Sequence, residues 1–229
     1  MPETSLPSPR SSEELLARAR SVAGRPLKNI AEQLDRPVPP DLRRAKGWIG
    51  QLLESFLGAS AGSRAEQDFP HLGIELKSLP VDRSGRPRES TWVCIAPLDG
   101  SLSGTWELSW VRRKLSKVLW IPVVGEGTVA PGDRLVGAAL LWSPSEEEEE
   151  QLRCDFEDLA ELIQTGNLAQ LDAHRGSALQ LRPKAASSRD LTWMLDEDAN
   201  WVEVNPRGFY LRRSFTTELL ERHLRMPGS

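Results

Sequence analysis

Three charged side chains within ten residues could form a site that hydrolyses phosphodiester bonds. The segment "EQDFPHLGIELKSLPVD" contains the carboxylates of Asp68 and Glu75 and, two residues after Glu75, the ammonium group of Lys77. In a β-strand the side chains alternate between two faces, so Glu75 and Lys77 share one face while Ile74 and Leu76 point to the core. A turn at "PHLG" can bring Asp68 close to Glu75. The segment therefore predicts a strand that presents two acids and a lysine at one point.

These side chains suit chemistry that depends on a metal ion. Two carboxylates that meet repel each other unless a cation neutralises them. Mg²⁺ is bound by oxygen ligands, typically one or two carboxylates together with phosphate oxygens and water. The ion polarises a phosphate and lowers the pKa of a bound water molecule. An adjacent lysine can position that water or stabilise the charge that grows on the phosphate.

The same three residues also have an ordinary structural interpretation. The motif is loose, because six residues separate the Asp from the Glu and one residue separates the Glu from the Lys. Such a motif arises often by chance. Glu75 and Lys77 could be an exposed pair that contributes little stability. The apolar neighbours in "GIELKSLPV" favour the catalytic interpretation, because charges within an apolar strand are costly without a purpose.

Helical and strand patterns alternate along the chain and predict an α/β fold. Capping residues and apolar spacing predict helices over residues 13–24, 26–34, 41–58, 143–166 and 215–224. Apolar runs between turn residues predict strands over residues 72–80, 90–98, 117–124 and 134–142. Asp41 is expected to cap the third helix, and Ser143 with Glu146 the fourth. Residues 1–10 are rich in Pro and Ser and are predicted to be a disordered tail, and residues 11–229 a single domain.

Composition excludes several classes of protein. Of the 229 residues, 39% are apolar and 27% charged, as in globular domains. No apolar run reaches about 18 residues and the N-terminus lacks a signal-peptide pattern, so we expect a cytoplasmic protein without a membrane contact. Two cysteines and three scattered histidines show neither a disulfide scaffold nor zinc spacing. The net charge of −4 does not exclude DNA, because the acidic block 146–150 alone contributes five negative charges.

Longer stretches of the sequence resemble the MutH family of DNA mismatch-repair endonucleases. The resemblance is carried in order by "KGWIGQLLESFLGASAGSRAEQDFPHLGIELKSLPVD", "RPRESTWVCIAPL", "VRRKLSKVLWIPV", "LLWSPSEEEEEQLR", "LQLRPKAA" and "PRGFYLRRSFT". It implies a restriction-endonuclease-like α/β fold, in which a mixed sheet flanked by helices forms two lobes around a DNA cleft.

The resemblance also implies an activity and its partners. Members of this family use Mg²⁺ to nick the unmethylated strand of hemimethylated GATC sites in double-stranded DNA, on the 5′ side of the G. They are activated by MutL after MutS has found a mismatch. A monomer associated with the bacterial nucleoid is expected.

Individual residues match functional positions of the family. Asp68 and Glu75 match its metal-binding carboxylates, and Lys77 matches its catalytic lysine. Glu54 and Lys114 match a further acid and a basic residue of its active site. We expect the Leu76 carbonyl to help hold the metal. The family's DNA-reading positions match Lys46, Arg182, Lys184 and Tyr210. Arginines that suit phosphate contacts are Arg207, Arg212 and Arg213. Taken alone, Glu54 would be an ordinary exposed helix acid, Lys114 a solubilising residue and Tyr210 a core residue.

The sequence departs from the family pattern in three places. Gln67 precedes Asp68 where the wider nuclease superfamily often has proline, and residues 186–203 and 225–229 match poorly. Two other functions remain open on the sequence. One is a restriction enzyme of the same fold that cuts both strands as a dimer, and the other is a DNA-binding module that has lost catalysis.

Overall fold

The computed structural model describes residues 6–62, 64, 66–102, 104–167, 175–184 and 189–223. The chain divides into two compact units. The described residues of unit 1 fall within Met1–Arg88, Ser116–Ser143 and Leu219–Ser229. Those of unit 2 fall within Glu89–Leu115 and Pro144–Glu218.

Helices and strands alternate through both units, which confirms the predicted α/β class. The helices are α1 (Ser12–Ser21), α2 (Leu27–Gln33), α3 (Trp48–Leu57), α4 (Trp110–Leu115), α5 (Glu146–Gln164) and α6 (Arg213–His223). The strands are β1 (Glu75–Val81), β2 (Thr91–Ala96), β3 (Val118–Val124), β4 (Leu135–Val136), β5 (Leu140–Trp142), β6 (Leu179–Pro183), β7 (Thr192–Leu195), β8 (Trp201–Val204) and β9 (Arg207–Leu211). The segment "SWVRRKLSK" contains α4.

Unit 1 is built on a mixed sheet centred on β3. β1 pairs with β3 in parallel, with Glu75 opposite Val118 and Lys77 opposite Trp120. β4 and β5 pair with β3 in the antiparallel sense. β3 is an almost continuous apolar run, "VLWIPVV", as expected for a strand that is covered on both faces. Helices α1, α2 and α3 contribute apolar side chains to the same core as Ile74 and Leu76.

Unit 2 contains an antiparallel sheet in the order β2-β9-β6 and a separate hairpin of β7 and β8. β9 is central and pairs with both neighbours, so Tyr210 lies opposite Trp92 on one side and Gln180 on the other. Phe156 of α5 packs against Phe209 of β9, with ring centroids 5.5 Å apart. This aromatic contact covers the face of the sheet that carries Phe209. Tyr210 is the next residue of the strand and therefore points to the opposite face.

Two predicted helix starts were wrong. The third helix begins at Trp48 rather than after Asp41, because Gly47 adopts a left-handed conformation (φ 87°) and ends the preceding turns. Asp41 instead accepts a hydrogen bond from the backbone N–H of Arg43. The long helix is capped by Ser145, which forms a capping box with Glu148, and not by Ser143. The sequence offers the same Ser-x-x-Glu pattern at both registers.

The N-terminal segment differs from the predicted disordered tail. Residues 1–5 lie outside the described residues, but residues 6–10 make defined contacts with unit 1. The backbone N–H of Leu6 donates to the carbonyl of Ser55 (3.0 Å), and Pro9 is buried. Across the described part of the chain, no helix combines the length and apolar character that a membrane crossing needs.

Candidate active site and nucleic-acid interface

A closed loop brings Asp68 and Glu75 to the two ends of one turn. The backbone N–H of Phe69 donates to the carbonyl of Ile74 (2.9 Å), and that of Ile74 donates back to Phe69 (3.3 Å). Gly73 adopts φ 64°, a conformation that favours glycine, and so permits the reversal. Asp68 directly precedes this bonded pair and Glu75 directly follows it. The return of the chain that the sequence suggested is therefore present.

Asp68 is held in place from both sides. Its Oδ2 accepts a hydrogen bond from the backbone N–H of Leu76 (2.7 Å). Its carbonyl accepts from the backbone N–H groups of Ser60 (3.0 Å) and Ala61 (3.4 Å), in the segment that follows α3. Gln67 spans the same loop, because its Nε2 donates to the carbonyl of Gly73 (2.8 Å). These bonds give the Asp68 carboxylate one defined position.

Glu75 and Lys77 form a buried ion pair on β1. Lys77 Nζ lies 2.8 Å from Glu75 Oε1, and the two side chains are only 10% and 3% exposed. The alternative of an exposed surface pair is therefore wrong for these residues. The attraction between the charges is strong here because little water screens it.

Glu54 on α3 belongs to the same cluster of charges. Burial raises the pKa of its carboxyl, and the negative charges of Asp68 and Glu75 raise it further. The positive charge of Lys77 acts in the opposite direction and lowers this pKa. Gly50 lies one helical turn before Glu54, and a methyl group there would lie 3.7 Å from Glu54 Oε1. The absence of a side chain at Gly50 therefore leaves room beside the carboxyl. Glu54 is partly buried and not the ordinary exposed acid that its sequence position suggests.

The donor set fits a hard divalent cation. The carboxyls of Glu54, Asp68 and Glu75 lie near one another, and the pKa of Glu54 is raised first by burial and then by repulsion from the negative charges of the other two. A cation bound by oxygen ligands would relieve that repulsion. In the described residues these acids are not drawn together into a preformed group of three metal ligands. The Glu75 carboxylate contacts Lys77, and that of Asp68 contacts the Leu76 amide.

Lys114 lies in unit 2, on the short helix α4. Its Nζ lies 5.5 Å from the centre of the Trp110 ring, and Arg113 lies over the same ring at 5.0 Å. A cation over the face of an aromatic ring is attracted by the ring's electrons, so Trp110 positions two positive charges on α4. Lys46 lies in unit 1, exposed, two residues before the first turn of α3.

The residues of unit 2 that the sequence assigned to DNA reading form one cluster of aromatic and basic side chains. Arg182 lies over the Tyr210 ring, with its guanidinium carbon 5.7 Å from the ring centre. Lys184 Nζ lies 4.0 Å from the centre of the Trp92 ring. Trp92 and Tyr210 meet edge to face, with centroids 5.1 Å apart. All three residues that the sequence assigned to DNA reading in this unit therefore come together.

Sequence reasoning missed Trp92, which lies at the centre of this cluster. A side chain on Gly208 would lie 2.0 Å from Trp92 Cζ3, so the indole covers the backbone of β9 at that glycine. The signal in the sequence was weak, because Trp92 and Gly208 are far apart and a bulge between Trp92 and Cys94 shifts the pairing register. Arg182 also donates a hydrogen bond to Ser90 Oγ beside the cluster.

The proposed phosphate-side arginines have different surroundings. Arg212 donates to the carbonyl of Arg175 (2.6 Å) and is partly buried, whereas Arg213 is exposed at the start of α6. Arg207 is partly buried at the start of β9. Only Arg213 thus has the full exposure that a phosphate contact favours.

Comparisons with known proteins point to one family. A family model described as DNA mismatch repair enzyme MutH matches residues 57–155. The DNA mismatch repair protein MutH of Vibrio cholerae serotype O1 is 54% identical over 217 residues, which cover 95% of this chain and 98% of that protein. The proteins of the same description from Pectobacterium atrosepticum and Photorhabdus laumondii are 53% and 52% identical. They cover 94% and 95% of this chain, and 94% and 96% of their own lengths.

Proposed function

The chain belongs to the MutH family of DNA mismatch repair enzymes, and from this premise we propose that it nicks the unmethylated strand of hemimethylated GATC sites. It is a DNA mismatch-repair endonuclease that depends on a divalent metal ion. One observation supports the assignment of the active site most directly. The Glu75–Lys77 pair is buried on a strand whose preceding loop returns Asp68 to the same end.

We propose Asp68, Glu75 and the Leu76 carbonyl as ligands of Mg²⁺. When bound, the ion supplies a polarised phosphate oxygen and a water molecule of lowered pKa. The chain orients one of these ligands before DNA arrives, since the hydrogen bond from the Leu76 N–H holds the carboxylate of Asp68. Such preorganisation lowers the cost of ordering the site during the reaction.

Lys77 is the residue that we propose orients the attacking water and stabilises charge on the phosphate. Its ammonium group is fixed by Glu75 at 2.8 Å, so its position is set by the strand and not by a flexible side chain. A positive charge in a buried site stabilises a growing negative charge more strongly than it would in water. Glu54 would take part through a second ion or an ion-bound water, and Lys114 would neutralise phosphate charge.

Sequence recognition is assigned to the aromatic and basic cluster of unit 2 and to Lys46. Arginine binds guanine with two hydrogen bonds, which makes Arg182 the best candidate for reading the G of GATC. Tyr210 and Lys184 lie close enough to Arg182 and Trp92 to contact neighbouring base edges, including the adenine N6 where a methyl group would be sensed. We further propose activation of the monomer by MutL, with MutS acting through MutL.

A substitution that separates binding from cleavage tests this assignment. Lys77→Ala should abolish nicking while GATC binding, measured with Ca²⁺ in place of Mg²⁺, stays within about threefold of wild type, because the DNA-reading residues lie elsewhere. Circular dichroism should first establish a temperature at which the variant is folded. The matched control is Lys28→Ala, an exposed lysine of unit 1 with an Asp133 partner at the same 2.8 Å. Joint loss of binding and nicking in a folded Lys77→Ala protein would contradict the role of Lys77.

A further inference from the structure

The N-terminal segment 6–10, here called the N-terminal strap, contacts both elements that carry the candidate metal ligands. On one side it lies against the C-terminal end of α3. The backbone N–H of Leu6 donates to the carbonyl of Ser55 (3.0 Å), the residue directly after Glu54. Arg18 of α1 donates to the carbonyl of Pro7 and also to that of Leu57 (3.3 Å). The strap is thus bonded to the last turn of the helix that presents Glu54.

Gly58 shows how closely the strap crosses α3. A methyl group at this position would lie 2.4 Å from the carbonyl oxygen of Pro7 and 2.9 Å from that of Leu6, which is closer than non-bonded atoms approach. Gly58 also adopts φ 79° as the helix ends. Both conditions require glycine here, one for the conformation of α3 and the other for the strap.

On its other side the strap reaches the loop between Asp68 and Glu75. His71 lies in that loop, and its Nε2 is 2.7 Å from the carbonyl oxygen of Pro9. The ring nitrogen therefore donates to the strap. Pro9 itself is buried, and a proline holds its backbone in a restricted conformation, so the acceptor is fixed in place.

We propose that the N-terminal strap sets the spacing between Glu54 and the Asp68–Glu75 loop, and that His71 is a positioning residue for the metal-binding carboxylates. This inference rests on the proposed function of these acids. The strap is bonded to α3 next to Glu54 and to the loop tip between the other two acids, so it ties together two elements that the sequence separates. His71 does not act as a base in this proposal. Its role is to fix the loop.

The first test is His71→Ala in the full-length protein. The magnesium concentration for half-maximal nicking should rise about fivefold, which corresponds to the loss of one ordinary hydrogen bond. The dissociation constant for GATC DNA, measured with Ca²⁺, should change less than twofold. Hydrogen exchange of residues 68–77 should become faster in the protein without metal or DNA. His71→Gln, whose amide can donate to Pro9, should restore both properties.

Two controls separate positioning from a general loss of stability. His223→Ala removes the other described histidine, which is exposed on α6, and should change nothing. Gly58→Ala should displace the strap and produce the same two effects as His71→Ala. Its matched control is Gly24→Ala, because Gly24 has nearly the same φ of 78° but no atom within 4 Å of an added methyl group.

The outcomes distinguish failure of this inference from failure of the proposed function. If wild type nicks DNA but His71→Ala leaves both magnesium dependence and hydrogen exchange unchanged, the positioning role is refuted. Equal effects of Gly58→Ala and Gly24→Ala would refute the role of the strap. If wild type shows no metal-dependent nicking, the proposed function fails. The hydrogen-exchange comparison then still decides whether the strap fixes the loop.

Discussion

The buried Glu75–Lys77 pair predicts a large loss of stability when only its positive member is removed. Lys77→Met keeps most of the length of the side chain and deletes its charge. Glu75, whose side chain is 3% exposed, then loses the positive charge of Lys77 while it stays close to the other acids of the cluster. At 2.8 Å and an effective dielectric constant of about 20, the lost attraction is about 6 kcal/mol. Relaxation and entry of water reduce the loss, so the free energy of unfolding should fall by about 3–5 kcal/mol.

Removing both members should reverse most of that loss. In Glu75→Leu/Lys77→Met an apolar pair of similar volume replaces the ions, and such replacements are often neutral or stabilising. The double variant should therefore be at least about 3 kcal/mol more stable than Lys77→Met, although neither variant should nick DNA. The measurement is urea denaturation of the metal-free protein at pH 7. The dependence of the unfolding free energy on urea concentration should be equal among the variants, which excludes a change of the unfolded state.

The exposed pair Lys28–Asp133 provides the control for this prediction. It has the same 2.8 Å separation, but its side chains are 52% and 57% exposed. Solvent screens such a pair, so Lys28→Met should leave the urea midpoint almost unchanged. If Lys77→Met is no more destabilising than Lys28→Met, or if the double variant is less stable than the single one, the reasoning from burial is refuted.

Four further perturbations follow from the structure. Glu54→Gln should stabilise the metal-free protein while abolishing nicking. The pKa of Glu54 is raised in the folded state, so the wild type loses stability as the pH rises from the ordinary carboxyl pKa to the raised one. The difference in the free energy of unfolding between Glu54→Gln and wild type should therefore grow over that pH range. Urea denaturation at several pH values measures this difference. Asp155→Asn should cost about 2–4 kcal/mol in the same assay, since this buried carboxylate accepts the backbone N–H groups that begin β6, including that of Leu179 (2.8 Å). In equilibrium binding, Arg182→Ala should reduce discrimination between GATC and a site with another base at G by about 1–3 kcal/mol. Lys46→Ala should likewise reduce discrimination among sequences, because Lys46 shares the proposed recognition role. An unchanged specificity ratio in Arg182→Ala would exclude Arg182 from base reading.

The core of the candidate site could be predicted from sequence because its geometry is local. The alternation of side chains along β1 places Glu75 and Lys77 on one face, and the turn between Asp68 and Glu75 needs only the residues between them. Burial of the pair was not predictable in this way. It depends on β3 and α3, which cover β1 from distant parts of the sequence.

Features that rest on distant contacts were missed. Trp92 joins the aromatic and basic cluster of unit 2 only through its pairing with β9, and the bulge in β2 changes which residues share a face. The strap was interpreted as disordered because Pro and Ser are common in flexible tails, yet its order comes from Ser55, Gly58 and His71. The start of α3 was missed because a left-handed glycine is not distinguishable from a helical one by sequence.

A strand-resolved nicking assay tests the central claim most directly. Duplexes with one GATC site in unmethylated, hemimethylated and fully methylated form, each strand labelled separately, would be incubated with the wild-type protein and Mg²⁺ or a chelator, with and without MutL. We predict Mg²⁺-dependent cuts 5′ of the G, confined to unmethylated GATC strands and increased by MutL. Double-strand breaks without MutL would indicate a dimeric restriction enzyme instead. Binding to GATC with no cut under any condition would contradict the catalytic assignment of Asp68, Glu75 and Lys77.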